Sequence, residues 1–485
     1  MAIQQSVGLD SELAQHYRQP GGVEQFGIEA IPEDRRTVKW YDLFAIILNF
    51  LVNPGTILVG ALAVAAGLAF WAAVVSLVLG ISIAFGAYVV MATVGVDYGL
   101  PGQVATRFAF GIRGAKVAPS ILRSISSVYW FAFQTIAGAL GIVAVLHQIT
   151  GRDFNLAVVS VLFAFAQALI ATVGYNSLKY LSRVAFFSKI AITAILLWVL
   201  ISQQGHSPLQ VFGYQGKLGW NWVVMAVWVN AAAAAWLSMI TDAADFCRYS
   251  RSRADMWVGT FLAAVLGQGI SVFLGGYAIA SVAGKNTNPF DVMAAGASLW
   301  VLIALLIYVV FDNWTINVLN LYTGGLALCN IFTKVGRFWT TLVVSALGIA
   351  LSLFPSLING YSSQVSIIGD LFAPIAGILI ADYVFVRHMK LDVPALFQRN
   401  GRYWYWRGFN WVAIGWTILG FIISVFIPPV MIKTLSTMII TGVLYLVTEA
   451  ILRSRVDVVA RAAADVEVRV DLAQLDRELA AHGAN

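Results

Sequence analysis

Charge is what this chain has least of. Only 11% of its 485 residues are Asp, Glu, Lys or Arg, 60% are hydrophobic, and mean hydropathy is +0.80. A soluble globular domain carries about 25% charged residues, so the composition argues against a soluble fold and for an integral membrane protein. Cysteine is nearly absent: Cys247 and Cys329 give no disulfide framework. Both fall near the cytoplasmic side of the topology below, where thiols stay reduced. Histidine is scarce too, with five in all. No metal-ligand cluster and no nucleophile–base pair stands out, so neither an enzyme nor a cofactor is expected. The first 40 residues lack the short apolar core of a signal peptide. They read as a cytoplasmic arm, with the first membrane helix as the insertion signal.

Long uncharged runs fill the rest. Twelve apolar stretches, each near the roughly 20 residues needed to span a bilayer, lie at 41–67, 69–93, 118–148, 154–174, 180–204, 221–243, 256–283, 298–327, 338–357, 363–386, 409–427 and 431–452. We label them α1 to α12. The α3 stretch is long enough to tilt or to project from the bilayer. Counting helix-end residues with their loops, 26 of the 30 Lys and Arg fall on the side of the two termini. Only Arg152, Lys217, Lys285 and Lys433 fall on the other. The positive-inside rule then puts both termini in the cytoplasm, of a multi-pass protein in the inner or plasma membrane. The sequence pI near 9.2 is thereby a topology signal, and nucleic acid is not an expected partner. Residues 453–485 read as a solvated cytoplasmic tail whose last part could form an amphipathic helix.

Three stretches carry polar groups that lipid cannot answer. In α1, ILNFLVNPGTILVG (47–60) places Asn49, Asn53, Pro54 and Gly55 inside the span. Proline lacks an N–H and disturbs the preceding turn; a simple kink is one reading, a discontinuous helix the other. In α6, WVNAAAAAWLSMITDAADFCRY (228–249) puts Asn230 and five alanines before Trp236. Small residues there let a helix or a ligand approach closely. Secondary transporters place broken helices at corresponding positions of two inverted repeats, as α1 and α6 would be in repeats of five. In α8, VVFDNWTINVLNLYTGG (309–325) holds Asp312 about fourteen residues into its span. An intramembrane carboxylate costs several kcal/mol and by default marks an ion or proton path; a quiet pairing with another helix is the alternative. At about 100° per residue, Asp312, Thr315 and Leu319 share a face, and Asn313, Asn317 and Asn320 form an adjoining stripe.

A fourth case is Gln134, in SVYWFAFQTIAGALG (127–141). It lies one turn from Trp130 on the same face. Its amide must meet another helix, a cavity or a ligand, because lipid offers no partner.

Five segments in order resemble one family. PGQVATRFAFGIRGAKV (101–117), SVYWFAFQTIAGA, AAWLSMITDAADFCRY, NWTINVLNLYTGGLALCNI and LFAPIAGILIADYVFVRH (371–388) are similar to signatures of nucleobase–cation–symport family 1. Its members include cytosine, hydantoin and allantoin permeases, and α8 is most like the cytosine-permease branch. The resemblance implies an all-α fold of the leucine-transporter type: inverted repeats at about 41–204 and 221–386, with two extra helices at 409–452. It implies that Trp130 and Trp236 sandwich a planar ring, where offset stacking and desolvation favour a flat heterocycle. Gln134 would meet a lactam or amidine edge, since an amide both donates and accepts. Asn317 resembles a polar α8 position near the ligand; Asn49, Asn53 and Asn320 are expected beside it.

One departure from the family bears on the coupling cation. Sodium-coupled members carry two adjacent hydroxyl residues on α8; here the pair is Thr315–Ile316, with Asp312 three positions before. One oxygen ligand is lost and a titratable acid gained, which points to protons rather than sodium, with Asp312 and Thr315 at the coupling site. The expected function is therefore proton-coupled import of a nucleobase or related planar N-heterocycle by alternating access. The alternatives are a sodium-coupled permease for hydantoin, allantoin or a thiamine-like compound, and a channel. Channel filters use repeated rings of carbonyls or charges, which this chain does not show.

Overall fold

The computed structural model describes residues 29–171 and 175–452. Residues 1–28 of the expected arm and the whole expected tail, 453–485, lie outside the described residues. In hydrocarbon every backbone N–H and C=O must be satisfied within the segment, and these sequences do so as helices. The described residues hold only isolated β-bridges beside them.

Each apolar stretch contains one helix or one interrupted helix. Among the described residues seven helices are long and apolar enough to cross a membrane, eight with one bent pair. The uninterrupted helices of the twelve stretches are α2 (Phe70–Tyr98), α3 (Ile121–Thr150), α4 (Leu156–Ala171), α5 (Tyr175–Trp198) and α8 (Leu299–Ile331). To these add α7 (Ala263–Ser281), α9 (Arg337–Leu351), α10 (Tyr361–Ile380), α11 (Trp411–Phe426) and α12 (Lys433–Leu452). A π-type turn over Lys116–Ser120 extends α3, which is one of the longest helices, as its stretch of sequence suggested.

The two interrupted helices are α1 and α6. In α1 the halves Trp40–Leu51 and Pro54–Ala65 meet at 50°. Pro54 starts the second half, where its missing N–H costs nothing. Asn53 caps that half, accepting from Thr56 N at 2.9 Å. In α6 the first half is Trp222–Leu237, residues 238–242 form turns, and Ala243–Cys247 completes it. Interruption at both points leaves main-chain groups free to meet something other than the next turn.

Close contacts hold the breaks in place. A Cβ on Gly275 of α7 would lie 1.8 Å from Ile57 O of α1, so only glycine permits this approach. One turn earlier, the Ser271 hydroxyl donates to Leu51 O at 2.9 Å, at the end of α1's first half. The loop 101–117 docks on the α6 break: Gly102 N donates to Asp245 Oδ1 at 2.6 Å, and Gln103 Nε2 to Thr241 O at 3.1 Å. Residues just before α1 are fixed as well; Ile31 is fully buried and its N–H donates to Gly99 O at 2.9 Å.

Candidate functional site

The breaks in α1 and α6 face a common narrow cavity of about 40 Å³. From α1 it is lined by Gly55, Thr56 and Val59, and from α6 by Ala232, Ala235, Trp236 and Ser238. The rest of the wall includes Trp130 and Gln134 of α3, Gln268 of α7, Asn320 of α8 and Tyr361 of α10. Trp130, Trp236, Gln134 and Asn320, four of the expected site residues, all line this cavity. The Trp130 ring is held by its Nε1, which donates to Ser238 Oγ at 3.2 Å, across to the α6 break. Gln134 is 5% exposed, and its Oε1 has no hydrogen-bond partner among the described residues. Its amide lies over Gly55, where a Cβ would come within 2.2 Å of Oε1. Proline and glycine together therefore shape one wall: Pro54 starts the new helix and Gly55 leaves room for the amide.

Three expected binding residues stand elsewhere. Asn317 does not line the cavity. Its Nδ2 is engaged by Phe131 O at 3.2 Å, Thr135 Oγ1 at 2.9 Å and Gln167 Oε1 of α4. It supports the cavity indirectly, because its Oδ1 accepts from Asn320 Nδ2 at 3.2 Å. Asn53 is occupied in capping α1. Asn49 turns its side chain along its own helix, donating to Ala45 O at 2.6 Å. These corrections share one cause: a polar residue in lipid satisfies its hydrogen bonds wherever a partner is nearest.

The carbonyl of Asn49, rather than its side chain, belongs to a second centre. Lys189 Nζ lies 2.8 Å from Asn49 O, 2.8 Å from Val52 O and 3.1 Å from Thr315 Oγ1. It also forms an ion pair with Asp312 Oδ1 at 3.1 Å. Both charged side chains are at most 1% exposed. Thr315 Oγ1 in turn donates to Asp312 O at 2.8 Å. The freed carbonyls of the α1 break are thus answered by an ammonium from α5. Sequence reasoning counted Lys189 as a loop-flanking charge; it lies deep in α5, which begins at Tyr175. Its intramembrane depth, like that of Asp312, was the signal that could have marked it.

On the side of the Lys- and Arg-rich loops, a second buried ion pair closes the cavity floor. Arg123 Nη2 sits 2.9 Å from Asp242 Oδ2 and donates to Thr323 Oγ1 at 2.6 Å, with all three residues buried. This ties α3, the α6 break and α8 together. On the opposite side Tyr361 lines both the cavity and a wider vestibule of about 700 Å³, formed with residues such as Leu62, Asn288 and Asn359.

Residues 30–446 match the model of the family described as permease for cytosine/purines, uracil, thiamine, allantoin. The chain belongs to this family. A hydantoin permease of Microbacterium maritypicum is 25% identical over 359 residues, covering 70% of this chain and 72% of the relative. An allantoin permease of Bacillus subtilis (strain 168) is 23% identical over 437 residues, covering 82% and 86%. Mhp1, a nucleobase-cation-symport-1 family transporter solved in a closed conformation with bromovinylhydantoin bound, superposes with a TM-score of 0.76. That match has 21% identity and covers 87% of this chain and 94% of Mhp1. The permease is accordingly a multi-pass membrane transporter with the leucine-transporter-type fold that its motifs implied.

Proposed function

We propose that this permease imports a planar N-heterocycle held in the cavity between α1, α3, α6 and α8, and that protons drive it. The observation that carries the substrate reading is the single cavity joining Trp130, Trp236 and the unpartnered Gln134 amide. Aromatic faces reward a flat ring, and a buried amide without a partner costs free energy until a ligand supplies one. Hydantoin, allantoin, uracil and cytosine all have that form, and the names of the relatives fall in the same class. The substrate crosses chemically unchanged, through a protein of the cytoplasmic membrane with both termini inside. With the intramembrane Lys189 set aside, the 25-to-four partition of Lys and Arg supports that orientation.

The Lys189 ammonium supports protons over sodium. It already occupies the oxygens of the α1 break and Thr315, beside the Asp312 carboxylate. A proton arriving on Asp312 removes the ion pair that ties α5 to α8, and its departure restores the pair. Loading a proton therefore loosens a contact between elements that must shift during alternating access. Proteoliposome uptake tests this. An inward pH gradient should drive uptake without sodium, and Asp312→Asn should abolish that drive while leaving heterocycle binding intact. Uptake that requires sodium and ignores the pH gradient would overturn proton coupling and leave the cavity assignment standing.

A further inference from the structure

We propose that Gln268 is a specificity-determining residue of this site, reading an edge of the heterocycle different from the one Gln134 reads. The inference rests on the heterocycle reading above. Gln268 lies on the α7 face that also presents Ser271 and Gly275, at the helical spacings that align side chains. Ser271 bonds Leu51 O, and Gly275 lets α7 meet Ile57, so this face is pinned to the α1 break. Gln268 lines the cavity that Gly55 and Thr56 bound. It is 1% exposed, yet its Oε1 receives no hydrogen bond among the described residues. The free carbonyls of the break do not explain it, because a carbonyl cannot donate to an amide oxygen. Gln134 Oε1 is in the same condition on α3.

Two buried acceptors call for two donors. The ligand class is thus a ring with N–H groups on two separate edges, as in hydantoin, uracil and cytosine. A ring with one such edge leaves one glutamine oxygen unpaired and binds more weakly.

The test uses the full-length purified permease, with titration calorimetry and thermal shift. Hydantoin, uracil, cytosine and their singly N-methylated forms are the probes. Wild type is expected to bind at least one parent ring, and methylation of either edge should weaken it about tenfold, the scale of one hydrogen bond in a dry site. Gln268→Leu should weaken the parent by a similar factor but lose nothing further on one mono-methyl form. Gln134→Leu should show the same indifference to the other form. Ligand-free Gln268→Leu should melt no lower than wild type, because an unpaired amide is replaced by an apolar group; a purely structural amide would lower the melting point. Should the Leu variant fail to fold, a structural role is indicated and the proposal falls, unless Gln268→Asn folds and shows selective loss on one edge. Parent binding unchanged in Gln268→Leu, or equal loss on every probe, overturns the inference and leaves the heterocycle reading intact. No binding of any parent ring to wild type overturns both.

Discussion

Replacing Lys189 by alanine should create a protein that sodium stabilises, whereas wild type should be indifferent to sodium. The variant removes the ammonium from Asn49 O, Val52 O, Thr315 Oγ1 and Asp312 Oδ1, all within 3.1 Å of Nζ. Removing one partner of a buried ion pair costs about 3–5 kcal/mol, because the other charge stays buried and uncompensated. Lys189→Ala should therefore be less stable by about that amount in sodium-free choline chloride. The vacated position is bounded by three neutral oxygens and one carboxylate, a hard-oxygen set suited to a small cation. Sodium binding only the folded state at 100 times its Kd would return about 2.7 kcal/mol. Thermal unfolding in NaCl against choline chloride at equal ionic strength reads this directly. Wild type should show no difference between the salts. The double variant Lys189→Ala/Asp312→Asn should lose less than Lys189→Ala alone and should ignore sodium, since its site has no carboxylate. Additive losses in the double variant would refute the coupling of these two side chains. Sodium-specific stabilisation of wild type would refute the claim that the ammonium fills the site.

Three further outcomes address the cavity. Trp130→Ala and Trp236→Ala should each weaken heterocycle binding by about 1 kcal/mol beyond lost area, read by calorimetry, with the protein still folded. Gln134→Leu should abolish or sharply reduce uptake, because the ligand's polar edge would be buried unpaired at about 1–3 kcal/mol; normal uptake would show that Gln134 serves packing alone. Gly55→Ala should weaken binding without touching the ligand, because its Cβ would come within 2.2 Å of Gln134 Oε1 and displace the amide. Unchanged affinity in that variant would contradict the placement of Gln134 over the α1 break.

The α8 sequence shows how far reading could go. Its stripes of Asp312–Thr315 and Asn313–Asn317–Asn320 are visible from helical spacing alone. The structure gives them separate duties: the first meets Lys189 and α1, while Asn313 and Asn317 meet α3 and α4. Only Asn320 reaches the cavity, with Ile316 and Leu319 beside it. Periodicity fixes which residues share a face; it carries no information on which neighbour that face meets.

The sequence by itself determined the membrane class, the stretches that form helices and the family, and it marked α1 and α6 as places where a helix could break. Each follows from local chemistry: missing charge, a proline without an N–H, the distribution of Lys and Arg, and motif order. It also marked Gln134, because an amide is conspicuous in an apolar run, and Trp130 and Trp236, because their segments resemble the family's motifs. Only the tertiary structure decided that Lys189 fills the α1 break, that Arg123 pairs with Asp242, and that Gln268 joins the cavity. Lys189 lies 126 positions from Thr315 and 140 from Asn49. Contacts over such separations depend on how helices pack, and a buried lysine has the same letter as one at a loop. Their physical meaning arises only when burial removes water and leaves each polar group to the partner that packing provides.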